Sequence, residues 1–208
     1  MVTASGANGE YGMPKVVDHV QRRSELIEST WRVIARRGLA GATMRQIAEE
    51  AGYANGALKP YFPTKLDLLE ATFKHVYDST QERIRESIKG LRGLSALKAM
   101  SLEILPVNEQ FKDEARLVVS FWESGVNSEY RAELAAVAIG EWAEMIIQRL
   151  NEAKEDGQLR DIVDIENTAG AYVGFLQGSQ IDAVMNPKDF SAERLTKQLD
   201  AHLALLAK

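Results

Sequence analysis

The chain has 208 residues, 45% of them apolar and 26% charged, the balance of a globular protein rather than a disordered one. It contains no cysteine, and its three histidines, His19, His75 and His202, lie far apart. Disulfide frameworks, thiolate metal sites and cysteine nucleophiles are excluded, and clustered imidazole ligands are not expected, so no metal or other cofactor is anticipated. No apolar run approaches the roughly 18 residues needed to cross a bilayer, and residues 1–11 lack the basic-then-apolar order of a signal peptide. A cytoplasmic protein with no membrane partner is the expectation.

The net charge of −5 is unevenly placed. Residues 1–65 carry nine Lys/Arg against six Asp/Glu, a net of +3, and the remainder carries sixteen against twenty-four, a net of −8. A basic first third on an acidic body suits a small anion-binding module joined to a larger domain with another task.

Residues 1–12 have three glycines and no periodicity, the composition of a mobile tail. From Val20, apolar residues fall in pairs four apart (Leu26/Ile27, Thr30/Trp31, Ile34/Ala35), one face of a helix that Gly38 can end in the left-handed conformation. Thr43-Met44-Arg45-Gln46 is a capping box that opens a helix through Ala51, where Gly52 breaks it. A second short segment, 55–62, follows and is stopped by Pro63. Thr64 to Asp67 opens a long helix running to Lys89. Helices are then predicted over 94–105, 113–124, 128–156, 164–185 and 191–206, the last with Ser191 as N-cap. No stretch alternates apolar and polar residues long enough for a strand. The pattern predicts an all-α protein of about nine helices, divided into a tail (1–19), a three-helix head (20–66) and a larger helical body (67–208).

The two short helices joined at Ala51-Gly52-Tyr53 have the layout of a helix-turn-helix. Ile47, Ala48, Ala51 and Leu58 are apolar where the helices must touch. The second helix would fit a major groove, exposing Ala54, Asn55, Gly56, Ala57, Lys59 and Tyr61. Asn55 is the one side chain among these able to bond a base edge in two places. Lys59, Tyr61 and Lys65 can reach phosphates, and Thr43 sets the N-terminus of the first helix to face one. Spacing alone favours an ordinary helical hairpin over a DNA-binding one.

The run Thr43-Met44-Arg45-Gln46-Ile47-Ala48-Glu49-Glu50-Ala51-Gly52, with Gly56-Ala57-Leu58, Tyr61-Phe62-Pro63-Thr64-Lys65 and Leu68, resembles the TetR family of bacterial transcription regulators. The likeness extends from about Arg22 to Phe73. Met13-Pro14-Lys15, Arg22-Arg23, Phe121-Trp122-Glu123 and Gln177-Gly178-Ser179 resemble its BetI-type members. The resemblance implies a homodimer whose two heads grip successive major grooves of double-stranded operator DNA, and whose C-terminal domains each hold a small-molecule effector that changes operator affinity. Repression is the commoner mode. By matching positions, Arg45 would reach a base or phosphate, and Asn55, Gly56, Ala57, Lys59, Tyr61 and Lys65 would form the contact set of the third helix.

Three positions depart from the family pattern. Ala54 stands where a small hydroxyl residue is usual, so the third helix loses an N-cap worth about 1 kcal/mol unless Asn55 replaces it. Lys59 stands where an aromatic residue is usual. Pro60 lacks an N–H and biases Lys59 away from helical geometry. A recognition helix shortened or tightened at its end is therefore expected.

In the body, Gly170, Gly174 and Gly178 lie four apart on one helix face, each costing about 1 kcal/mol against alanine. Their register calls for close packing, either inside one subunit or against a symmetry mate. In the second case this helix and the last one, with Leu195 and Leu199, build a two-fold interface. Phe121, Trp122, Glu123, Trp142, Tyr172 and Phe175, with Phe111 and Tyr130 as further aromatic candidates, either form core or line an effector pocket. Trp122, Trp142 and the Glu123 carboxylate would suit a cationic ligand. The competing class is an all-α binding protein or enzyme whose N-terminal helices do not bind DNA. That class needs catalytic groups, and neither a phosphate-cradling glycine loop nor a zinc-type His-Glu pair is present.

Overall fold

A computed structural model describes residues 19–208, without the side chains of residues 39, 40 and 55. The tail expected over residues 1–12 lies outside the described residues. Eight α-helices and one 3₁₀ helix make up the described chain: α1 (His19–Gly41), α2 (Met44–Glu50), the 3₁₀ helix (Asn55–Leu58), α3 (Lys65–Ser87), α4 (Gly93–Ile104), α5 (Glu109–Gly125), α6 (Glu129–Glu155), α7 (Ile165–Met185) and α8 (Ala192–Leu206). The all-α architecture is as predicted. Of the nine expected segments, the third is a single 3₁₀ turn rather than a full helix.

Local chemistry sets the boundaries. Gly38 turns to φ 69° inside α1, which marks the end of its regular part. The Thr43 hydroxyl accepts from Gln46 N–H at 3.3 Å while the Gln46 side chain accepts from Thr43 N–H at 3.0 Å, the reciprocal pairing expected of a capping box. Thr64 and Asp67 repeat it at the start of α3. Helix α5 begins at Glu109, earlier than the predicted residue 113, because Asn108 caps it by accepting from Phe111 N–H at 2.8 Å.

Two apolar clusters fill the interior. The first gathers Leu26 and Ile34 of α1, Ile47 and Ala48 of α2, Leu58, Phe62, and Leu68, Leu69 and Phe73 of α3. It does not stop at the head, for Leu117 and Phe121 of α5 and Ala135 and Ala138 of α6 belong to the same cluster. The Phe73 and Phe121 rings stack at 4.0 Å and 9°. The second cluster holds Ile84, Leu97, Met100, Trp142, Ile146, Leu150, Tyr172, Leu176 and Leu199. Helix α3 serves both, so the expected division after residue 66 falls in the first turn of a helix that runs from head to body.

The joint between α2 and the 3₁₀ helix depends on backbone conformation. Gly52 has φ 74°, Tyr53 N–H donates to the Ala48 carbonyl at 2.8 Å and Gly52 N–H to the Glu49 carbonyl at 3.1 Å. These two bonds make a Schellman motif, which requires a left-handed residue at this point. A β-carbon on Gly52 would meet nothing within 4 Å, so the requirement is torsional. Gly52→Ala is expected to lower stability by about 1 kcal/mol, whereas Gly56→Ala, at a negative φ and in open space, should not destabilise; urea denaturation of the two variants checks the contrast.

Candidate functional site

The outward surface of the head is built by anchoring the 3₁₀ helix from beneath. Leu58 and Phe62 are buried, at 0% and 1% exposure, and the Leu58 carbonyl accepts from both Tyr61 and Phe62 N–H at 2.9 Å. With those residues held down, Gly56, Lys59 and Pro60 are exposed and Ala57 and Tyr61 are half-buried. Ala54 makes no side-chain capping bond, as expected, and its carbonyl instead accepts from Ala57 N–H at 2.9 Å. That bond is the tighter, three-residue kind. One expectation fails: Lys59 is helical, at φ −53° and ψ −37°, despite the following Pro60. The bonds to the Leu58 carbonyl bypass Pro60, and burial of Phe62 holds the turn against the local steric bias.

Cations frame this surface. Arg45 is exposed on α2 and pairs with Glu49 at 3.6 Å. Thr43 spends its hydroxyl on the cap of α2, accepting from Gln46 N–H and donating to Gln46 Oε1 at 2.9 Å. Lys65 is half-buried at the first turn of α3, and burial lowers its ammonium pKa from the ordinary lysine value. Behind the surface, Arg22 lies 4.7 Å over the Tyr53 ring and Arg23 4.7 Å over the Phe62 ring. Tyr53 also donates to Glu25, and Glu50 is gripped by Arg36 and Arg32 of α1, which hold its carboxyl below the usual carboxylate range. These contacts pin α2 and the 3₁₀ helix onto α1 and leave Arg45 and Lys59 facing outward. Asn55 lies in the 3₁₀ helix by its backbone; its side chain is outside the described structure.

In the body, α3, α4, α5, α6 and α7 surround a cavity of about 30 Å³, room for roughly two waters. Tyr77, Phe111, Glu114, Trp142 and Gln180 are among its walls. Trp142 is 6% exposed and its indole N–H has no hydrogen-bond partner. Tyr77 donates to Glu141 and accepts from Gln81; burial, and then the carboxylate, push its phenol pKa up. Glu114 is held by Arg83 in a two-pronged pair and by Gln110 at 3.0 Å.

The residues proposed for the pocket from sequence do not meet there. Trp142 lines the cavity, but Phe121 faces the first core against Phe73, Trp122 packs half-buried on that core, and Glu123 is exposed. Consecutive positions on a helix point about 100° apart, so three in a row cannot share one pocket. Tyr172 is buried with its hydroxyl 2.8 Å from Ser101 Oγ, and Phe175 stacks on His202 at 4.3 Å beside a separate open groove between α7 and α8. Tyr130 bonds Glu70 at the surface. Of the further aromatic candidates, Phe111 does line the cavity. The signal that finds the rest is periodic: Phe111, Glu114, Ala115 and Val118 share one face of α5, and Val76, Tyr77 and Thr80 one side of α3.

Gly170, Gly174 and Gly178 form an open ridge. A β-carbon at any of them would meet nothing within 4 Å beyond the adjacent backbone of its own helix, so close packing against another element of the subunit does not explain them. Beside the ridge, Ile181, Met185 and Leu205 are exposed at 36%, 78% and 65%. Leu195 and Leu199 are fully buried in their own subunit and present nothing to a partner, which corrects their assignment to an interface; their side chains turn inward from α8. Among the described residues, no cluster of potential metal ligands occurs and no helix is long and apolar enough to cross a membrane.

Residues 26–72 match the family of bacterial regulatory proteins of tetR type, and residues 94–208 match the C-terminal domain of BetI-type transcriptional repressors. The HTH-type transcriptional regulator PksA of Bacillus subtilis is 29% identical over 192 residues, covering 92% of each chain. The HTH-type transcriptional regulator BetI of Paraburkholderia phytofirmans is 31% identical over 119 residues, 55% of this chain and 60% of that one. A transcriptional regulator of Saccharomonospora viridis, solved in complex with choline, superposes with a TM-score of 0.85 at 20% identity, over 91% of this chain and 99% of the other. A regulator from Rhodococcus sp. Rha1 superposes at 0.78 with 24% identity, over 88% and 95%.

Proposed function

Since the chain belongs to the TetR family of bacterial transcription regulators, with a BetI-type C-terminal half, we propose that it represses transcription by holding operator DNA with Arg45, Asn55, Gly56, Ala57, Lys59, Tyr61 and Lys65, while Thr43, as the cap, sets the N-terminus of α2 to face a phosphate. One observation carries this reading: Leu58 and Phe62 anchor the 3₁₀ helix from below, so Gly56 and Lys59 stand outward. Gly56 lets backbone approach DNA closely, Lys59 and Lys65 neutralise phosphates, and Asn55 reads a base edge. The effector enters the cavity between α3 and α7 and carries a cationic group. The aromatic rings and carboxylates of the walls support this, as does the choline held by the Saccharomonospora viridis neighbour.

Two copies pair through the glycine ridge of α7 and the exposed apolar residues beside it. The open ridge supports this because helical glycine is costly unless something packs on it closely. Working in the cytoplasm follows from this role.

Mobility-shift titrations against salt test the DNA reading. Lys65→Ala is expected to weaken every sequence alike and flatten the salt slope by about one unit. Asn55→Ala should instead relax discrimination at one base position by roughly 1–3 kcal/mol. Binding to every duplex that is unchanged in both variants would overturn the assignment. Sedimentation velocity tests the pairing: Gly174→Leu is expected to yield folded monomers, because its β-carbon is not crowded by other elements of its own subunit while the side chain would stand in the path of a partner. A dimer as tight as wild type contradicts it.

A further inference from the structure

The walls of the body cavity already hold a cation. Arg83, on α3, lies with its guanidinium carbon 4.5 Å over the Phe111 ring. It donates to Glu114 through Nη1 at 3.3 Å and Nη2 at 2.7 Å, to Glu103 through Nε at 3.3 Å, and to Thr80 at 3.1 Å. All four partners line the cavity. A ring face and two carboxylates are what a small organic cation requires, and Arg83 satisfies them from within. The free space beside it is too small for anything beyond a few atoms.

We propose that Arg83 is a built-in occupant of the effector's cation site, and that a guanidinium- or ammonium-bearing ligand binds by expelling it from Phe111, Glu114 and Glu103. This rests on the reading of the cavity as the effector site and adds how entry is controlled. Expulsion vacates the volume of the arginine head, which enlarges the cavity where the ligand must sit. With Glu103 and Glu114 against one arginine, the site keeps one negative charge in excess, so an incoming cation is favoured over a neutral molecule. Trp142, whose buried indole N–H has no hydrogen-bond partner, is a further wall of the same cavity. Expulsion has a mechanical result. Arg83 ties α3 to α5, and both helices reach the head core through Phe73 and Phe121. A ligand that replaces the arginine breaks that tie while satisfying the same carboxylates.

Methylguanidinium, which reproduces the arginine head, is the direct probe. Calorimetry on the full chain is expected to show Arg83→Ala binding it at least tenfold more tightly than wild type, with Glu114→Gln in the Arg83→Ala background abolishing the gain. Should Arg83→Ala fail to fold, Arg83→Met keeps the apolar stem, and methylguanidinium should raise its unfolding midpoint but not that of wild type. Equal affinity of wild type and Arg83→Ala, or no rise in the Arg83→Met midpoint where that variant is used, overturns the inference. Operator binding measured on the same preparations separates the two readings. Equal methylguanidinium affinity with operator binding intact sinks the arginine's role alone, and operator binding absent from wild type sinks the regulator reading itself.

Discussion

The Phe73 and Phe121 rings, stacked face to face at 4.0 Å, join a helix of the head to a helix of the body, and the remaining structure is organised around that join. Two stacked aromatic side chains remove several hundred square ångströms from water. A head of this size has little core of its own; Leu117, Phe121, Ala135 and Ala138, all from the body, complete it. The outward surface of the head, proposed above to face DNA, thus sits on a core it does not own. Any rearrangement of α5 must be felt by α1, α2 and the 3₁₀ helix, because close-packed interiors transmit displacement rather than absorb it.

On the proposed reading of the body cavity as the effector site, that arrangement gives it leverage. Its walls come from α3 and α5 among others, the same helices that carry Phe73 and Phe121. A ligand needs no long pathway to reach the head. On that reading it acts on two helices whose other ends already lie inside the head core. On the proposed reading, the two-state element required of a switch is the α3–α5 pair, with ligand acting at one end and DNA at the other.

How much of this was readable in advance depended on whether the deciding interaction is local. Thr43, Gln46 and Gly52 announce a capped helix and its reversal because each acts within a few residues of itself. Ala54 and Pro60 likewise foretold a tightened third element, though not that Lys59 would remain helical, since Phe62 burial decides that from a distance. Phe121, Trp122 and Glu123 attract notice as a run, yet helical phase scatters them. The cavity residues share no short motif and become visible only as two faces of helices far apart in the chain. Leu195 and Leu199 show the same limit: an apolar stripe does not say whether it faces its own core or a partner. The glycine ridge was legible as a demand for close packing, and only the coordinates exclude that the demand is met within one chain.

Hydrogen exchange on the full-length protein carrying Phe121→Leu measures the shared core most directly. If head and body are one cooperative unit, amides of α2 and the 3₁₀ helix lose protection in step with those of α5. If instead protection falls in α5 and α6 while the head amides keep their wild-type rates, the head has a core of its own and the coupling described here is wrong.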